Sequence, residues 1–169
     1  ERKTSSSMSN YQKYHICGQL INVFKFLHDC KPAVIYRDLK PENIMIDKFF
    51  NVKLTDFGLS RFMPETEPYK MTGTTGTLRY MAPEVFNGQH YALKADIYSL
   101  GLIIFFVFTG TKPFEKYNLD ELKIYFSNDD LIFSTHQVKD KKLRSIINNC
   151  IKKSHVNRWD INQLSSSFA

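Results

Sequence analysis

Two aspartates, a lysine and an asparagine stand at spacings that could build a site for phosphate chemistry. Asp38 opens residues 38–43 (DLKPEN), and Asp56 opens residues 56–58 (DFG) eighteen positions later. Carboxylate and amide oxygens are the ligands that Mg²⁺ prefers, and an ammonium group neutralises phosphate charge. If the fold brings them together, Asp38, Lys40, Asn43 and Asp56 would suit a Mg²⁺–phosphate site.

A β-hairpin is predicted between the two aspartates. Residues 43–47 (NIMID) and 52–55 (VKLT) have the composition of strands, and residues 48–51 (KFFN) separate them. Because a hairpin returns its two ends to one place, Asp38, Asn43 and Asp56 are expected to converge. Residues 33–36 predict a short buried strand, whereas residues 58–80 have no clean period and predict a long loop.

The rest of the pattern is mainly helical. Apolar spacing predicts amphipathic helices over residues 11–28 and around residues 143–151, the latter with lysines and Arg144 on its outer face. Residues 96–109 are apolar on every side, which predicts a helix buried at the centre of the domain and ended by Gly110.

Composition limits the classes of protein to consider. With 169 residues, 43% hydrophobic and 24% charged, the chain predicts one compact globular domain, residues 11–169, after a serine-rich tail or linker at residues 1–10. The longest apolar run, residues 100–108, is too short to span a membrane. Three widely spaced cysteines (Cys17, Cys30 and Cys150) predict free buried thiols in a reducing compartment, the cytoplasm, with the nucleus as the alternative.

The net charge of +6 permits anionic partners such as nucleotides but is too low to favour a nucleic-acid binder. A basic cluster is interpreted as a solvated helix face, with an acidic partner as the alternative; it comprises Lys139, Lys141, Lys142, Arg144, Lys152 and Lys153.

Four blocks resemble motifs of eukaryotic protein kinases. Residues 36–43 (YRDLKPEN) resemble the catalytic loop, and 56–58 (DFG) the metal-binding motif. Residues 82–84 (APE) resemble the motif that closes the activation segment, and 96–101 (DIYSLG) the start of the central helix. The blocks occur in the family's order. The resemblance implies an α+β fold, the mainly α-helical large lobe of a kinase with a small antiparallel β-hairpin element.

The resemblance also implies roles at the centre of the site, with ATP and Mg²⁺ as cofactors and a protein as substrate. Asp38 would orient the substrate hydroxyl and accept its proton, while Lys40 would contact the γ-phosphate. Asn43 and Asp56 would ligate Mg²⁺ between the ATP phosphates. Met45 would form the floor beneath the adenine ring.

Further roles lie around this centre. Thr77 would shape the pocket beside the phosphoacceptor, and Asp96 would hold the backbone of the catalytic loop. Glu84 would form a buried bidentate pair with Arg158.

Regulation by phosphorylation is suggested by Arg37, since an arginine beside the catalytic aspartate can pair with a phosphothreonine and order the loop. The candidate phosphorylation sites are Thr72, Thr74 and Thr75.

Serine/threonine specificity is implied by Lys40, two residues after Asp38, together with Thr77. Residues 76–84 are most similar to the tyrosine-kinase-like group of serine/threonine kinases. One position departs from the family pattern, because Tyr36 stands where a histidine is usual; active branches of the family also carry tyrosine there.

A second departure concerns the amino-terminal lobe of a kinase. No Gly-rich loop or strand lysine precedes Asp38, so the chain is expected to be the carboxy-terminal lobe, with the amino-terminal lobe absent. Residues 1–169 alone are then expected to show negligible phosphotransfer. The competing hypothesis is a catalytically inactive interaction module that binds substrates or other kinases.

Overall fold

A long amphipathic helix, α1 (Asn10–Asp29), opens the computed structural model, which describes residues 8–63, 78–89 and 92–169. A capping box starts it: the backbone N–H of Gln12 donates to the Ser9 hydroxyl, and the Ser9 N–H donates to the Gln12 side chain. The helix begins inside the predicted tail and otherwise matches the predicted helix to within a residue at each end. Its buried face carries Ile16, Cys17, Leu20, Ile21, Phe24, Leu27 and His28.

Two small antiparallel sheets follow α1. Strands β2 (Ile44–Ile46) and β3 (Val52–Leu54) pair with Ile44 opposite Leu54, which confirms the predicted hairpin. Its turn is closed by the Asp47 carboxylate, which accepts the N–H groups of Phe49 and Asn51 at 2.8 and 2.9 Å.

Only one of the two strands of the second sheet is predicted from the sequence. Strand β1 (Val34–Ile35) lies where a strand is predicted, but it pairs with β4 (Arg61–Phe62). The loop predicted over residues 58–80 is therefore wrong at residues 61 and 62. A strand of two residues is too short to show an alternating pattern, and only pairing with β1 defines it.

The described part of the chain beyond residue 77 is helical, with no strand. Its helices are α2 (Pro83–Phe86), α3 (Lys94–Thr109), α4 (Leu119–Ser127), α5 (Lys141–Cys150) and α6 (Ile161–Phe168). The fold is thus the mainly helical α+β fold that the sequence predicts.

Helix α3 forms the centre of the core. All its residues from Ala95 to Phe105 are buried, and it ends at Gly110, whose φ of 73° suits glycine at a helix C-cap. Helix α1 packs on one side of α3 and helix α5 on another. Within the described residues, no helix is long and apolar enough to cross a membrane.

The three cysteines are free, as predicted, but they are not all buried. Cys17 and Cys150 are buried, whereas Cys30, just beyond α1, is half-buried, and its thiol donates to the carbonyl of Phe26. Arg144 is predicted on the outer face of α5 together with lysines, but it is less exposed than Lys141 and Lys142. It is half-buried because its guanidinium donates twice to the Val138 carbonyl, at 2.7 and 2.9 Å.

A buried ion pair joins α2 to the segment between α5 and α6. The Arg158 guanidinium donates to both oxygens of Glu84, at 2.6 and 2.9 Å. Its remaining hydrogen bonds go to the backbone carbonyls of Lys94, Lys152 and Lys153. The fork of five N–H donors is therefore fully used, which a lysine could not reproduce.

Gly101 sets how closely α3 and α5 approach. A Cβ at this position would lie 2.7 Å from Cys150 Cβ and 2.8 Å from Ile151 Cγ2. Gly101→Ala is therefore expected to lower the free energy of unfolding by about 1–2 kcal/mol, because the steric overlap exceeds the gain in helix propensity. Urea unfolding, followed by the fluorescence of Trp159, measures this change in the free energy of unfolding.

Gly18→Ala is the matched control, since nothing lies within 4 Å of a Cβ added at this position in α1. This variant should gain stability, by about 0.5–1 kcal/mol. Equal effects of the two substitutions would contradict the packing argument.

Glu84→Gln is expected to lower the free energy of unfolding by about 3–5 kcal/mol, because it leaves the buried Arg158 charge without its counter-charge. Arg158→Lys keeps a cation beside Glu84 but cannot supply five donors, so it is expected to cost about 1–3 kcal/mol. The same urea unfolding measures both variants, and an equal or smaller loss in Glu84→Gln would contradict the assignment.

Candidate functional site

Asp38 is a buried carboxylate with two side-chain partners. It is 7% exposed, and the Lys40 ammonium donates to its two oxygens at 2.8 and 3.1 Å. The Asn43 amide donates to Asp38 Oδ2 at 3.0 Å and to its backbone carbonyl at 2.8 Å. The structure thus brings together three of the four residues on which the sequence argument rests.

The orientation of the Asn43 amide follows from these bonds. Both bonds use its nitrogen, so the amide oxygen is turned away from Asp38 and is the atom that a cation could use. A short 3₁₀ turn, Pro41–Asn43, places the residue directly before β2.

Asp56 follows β3, at the other end of the hairpin. The preceding residue, Thr55, donates its N–H to the carbonyl of Asn43 at 2.9 Å, so the two ends of the hairpin are joined. Asp56 is exposed and has a φ of 58°. Its carboxylate accepts the Gly58 N–H at 3.2 Å, and it makes no direct hydrogen bond to Asp38 or Asn43.

Tyr36 fills the position where the family usually has histidine. It is fully buried, and its hydroxyl donates to the carbonyl of Thr55, the residue before Asp56. Its ring makes edge contacts with Phe24 and Phe57, with centroids 5.8 and 5.2 Å apart. Burial raises the pKa of the hydroxyl, so it stays a neutral donor.

Asp96, in the first turn of α3, holds the start of the loop that carries Asp38. Its carboxylate accepts the backbone N–H groups of Tyr36 and Arg37, both at 2.9 Å. His28, at the end of α1, places its Nε2 3.0 Å from the same carboxylate. One buried side chain therefore connects α1, the loop and α3.

His28 is a positioning residue to which none of the sequence motifs pointed. A usable signal was present: His28 follows Leu20 and Phe24 at intervals of four residues and so lies on the buried face of α1. A buried imidazole needs a polar partner, which Asp96 supplies.

Arg37 has a left-handed backbone conformation, with a φ of 72°. Its Nε donates to the carbonyl of Leu59 at 2.7 Å, which links the Asp38 loop to the segment after Asp56. Left-handed non-glycine residues are uncommon and cluster at functional sites. Arg37 and Asp56 both have this conformation, and they flank the site.

The other predicted site residues are spread around this centre. Met45 lies on β2 with its side chain 61% exposed. Glu84 and Arg158 form the ion pair described above, away from Asp38. Four predicted residues lie outside the described residues: Thr72, Thr74, Thr75 and Thr77.

The donor atoms fit a magnesium ion better than a structural transition metal. In the described part of the chain, no three His, Cys, Asp or Glu side chains group as a metal site. Asn43 and Asp56 instead offer one amide and one carboxylate oxygen. Mg²⁺ suits such a sparse oxygen set because it keeps several waters and takes further ligands from phosphates.

Comparison with known proteins agrees with these motifs. The model of the protein kinase domain family matches residues 1–168. A probable serine/threonine-protein kinase of Dictyostelium discoideum is 44% identical over 88 residues, 52% of this chain and 9% of that protein. The CBL-interacting protein kinase 32 of Oryza sativa subsp. japonica is 41% identical over 117 residues, 68% of this chain and 26% of that protein.

A relative whose name specifies a tyrosine-protein kinase also matches. The seven transmembrane domain-containing tyrosine-protein kinase 1 of Dictyostelium discoideum is 44% identical over 101 residues, 59% of this chain and 14% of that protein. The chain spans about a quarter or less of the length of these relatives. Because the family model covers almost the whole chain, the chain belongs to the protein kinase domain family.

Proposed function

We propose that the protein containing this chain transfers the γ-phosphate of ATP to serine or threonine side chains of a protein substrate. The observation that carries the proposal is the Asp38 carboxylate, buried and held by Lys40 and Asn43 at the start of the hairpin. A fixed carboxylate within reach of a hydroxyl is what proton acceptance from a substrate requires.

Asp38 orients the substrate hydroxyl and takes its proton as the new oxygen–phosphorus bond forms, while the bond from the γ-phosphorus to the bridging oxygen breaks and ADP leaves. Lys40 lies between the solvent and the Asp38 carboxylate, with its side chain 21% exposed, so its charge is available to an incoming phosphate. A preorganised charge at this point stabilises the transition state without the cost of reorganising water.

Asn43 and Asp56 would hold Mg²⁺, and the exposed Met45 would lie beneath the adenine ring. When bound, the ion neutralises phosphate charge and orients the phosphates of ATP. The Thr55–Asn43 hydrogen bond keeps these two ligands at adjacent hairpin ends.

The serine/threonine specificity is supported by Lys40, two residues after Asp38, and by the names of relatives such as the Dictyostelium serine/threonine-protein kinase. Thr77 would shape the acceptor pocket. We further propose membership of the tyrosine-kinase-like group, from residues 76–84, and a cytoplasmic location, which the free thiols support.

Asp38→Asn is expected to lower kcat for phosphotransfer by about 10²–10⁴-fold and to leave the KM for ATP nearly unchanged, because only proton acceptance is lost. Asp56→Asn is expected to lower kcat and also to raise the magnesium concentration needed for half-maximal rate. The assay uses the intact protein, labelled ATP and a generic protein acceptor, with phosphoamino-acid analysis of the product.

Asp120→Asn is the matched control, since it makes the same change at a side chain that is 84% exposed on α4. Full activity of both Asp38→Asn and Asp56→Asn would overturn the catalytic assignment. Phosphotyrosine as the main product would overturn the serine/threonine assignment alone.

Loop phosphorylation is the proposed control of activity, with Arg37 as the partner of a phosphorylated Thr72, Thr74 or Thr75. Phosphatase treatment is expected to lower the activity of the unmodified protein by about fivefold or more. The variant with alanine at all three threonines should have low activity that phosphatase does not change. Wild-type activity in that variant would contradict the proposal.

A further inference from the structure

A wide groove lies on the helical side of the domain, formed by α2, α4, α5 and the segments that follow α4 and α5. Its volume is about 1350 Å³, above the range of about 300–1,000 Å³ typical of small-molecule sites. Asp38, Lys40, Asn43 and Asp56 are not among the described residues that line it.

The wall that follows α4 is anchored to the core. The Phe133 ring contacts the rings of Phe105 and Phe114, with centroids 4.9 and 4.8 Å apart. Two residues later, the Thr135 hydroxyl donates to the Asn148 side chain on α5 at 2.8 Å. This wall is therefore formed before any ligand arrives, which lowers the ordering cost of binding.

The opposite wall, after α5, is tied to the end of α4. The Lys153 ammonium lies 3.8 Å from the centroid of the Tyr125 ring and donates to the carbonyls of Tyr125 and Asn128. The Glu84–Arg158 pair fixes the same segment to α2. Both walls are thus held by contacts on the folded domain.

The charge of the groove is positive. Among the described lining residues, the cations are Arg144, Lys152 and Lys153, and the carboxylates are Asp129 and Glu84. Arg158 already neutralises Glu84, which leaves three cations against one carboxylate. Lys152 is exposed, so its charge is available to a ligand.

The rim of the groove carries apolar side chains that are exposed to solvent. Ile132 is 88% exposed and Leu131 is 40% exposed, and both line the groove between Asp129 and the anchored Phe133. Burial of such side chains is favourable in proportion to the apolar area removed from water. A ligand with both negative charge and an apolar group would satisfy the groove.

We propose that this groove is a docking site for an acidic peptide segment of a partner protein, one that carries an aliphatic or aromatic side chain among its carboxylates. The carboxylates pair with Lys152 and Arg144, and the apolar side chain covers Ile132. The polar groups of the lining suit an extended backbone, which brings its own N–H and C=O groups to be satisfied.

The groove favours a peptide over a nucleic acid because its rim is apolar. The exposed Ile132 offers no partner to phosphate or sugar, whereas a peptide side chain buries it. The basic cluster found in the sequence thus divides, with Arg144, Lys152 and Lys153 in the groove and the other lysines outside it.

The test is fluorescence anisotropy of the intact protein with a fluorescein-labelled glutamate-rich peptide that has one central leucine. The comparison peptide has lysine at every glutamate. The glutamate peptide should bind saturably and weaken as salt rises, whereas the lysine peptide should not bind. Lys152→Glu is expected to lower the affinity about tenfold, and Ile132→Ser about fivefold.

Lys48→Glu is the matched control, because it makes the same charge reversal at an exposed residue of the hairpin turn, outside the groove. It should change the affinity by less than about twofold. Three results would overturn the proposal: equal binding of both peptides or of neither, equal losses in Lys48→Glu and Lys152→Glu, or tighter binding of a single-stranded oligonucleotide at the same salt concentration. None of these readouts depends on phosphotransfer.

Discussion

The buried carboxylate of Asp96 is the interaction on which the geometry of the site depends. It is 1% exposed, and a charge so deeply buried is stable only when hydrogen-bond donors surround it. Two backbone N–H groups and His28 supply them. Its place in the first turn of α3 adds the favourable end of the helix dipole. Tyr36 and Arg37 are bonded to this carboxylate, and Asp38 follows them directly. The position of Asp38 is therefore set by the buried helix α3.

The side chain of Tyr36 connects the hydrophobic core to the site. Tyr36 packs against Phe24 of α1 and Phe57, and its hydroxyl bonds to Thr55. The Thr55 end of the hairpin is thus fastened to the core as well as to the Asn43 end. Because several contacts hold this region in place, Arg37 and Asp56 can keep left-handed backbone conformations, which cost energy in an unsupported loop.

Local patterns made most of the fold predictable from the sequence. The spacing of apolar residues identifies α1 and α3, and strand composition identifies the hairpin of β2 and β3, because these signals depend on neighbours in the chain. The closeness of Asn43 and Thr55, the residue before Asp56, follows from the same hairpin. What the sequence did not reveal depends on distant partners: β4 exists only through β1, and the role of His28 only through Asp96, 68 residues away.

The order in which these bonds can form during synthesis follows from sequence separation. Asp96 is 60 residues from Tyr36 in the sequence, whereas Glu84 is 74 residues from Arg158. At about 5–20 residues per second, the Glu84 carboxylate leaves the ribosome roughly 4–15 s before its partner. The nascent chain can therefore assemble the loop around Asp38 while α2 is still unanchored. During that interval Glu84 stays in water, and its neighbours Pro83 and Val85, buried in the finished fold, are still open to solvent.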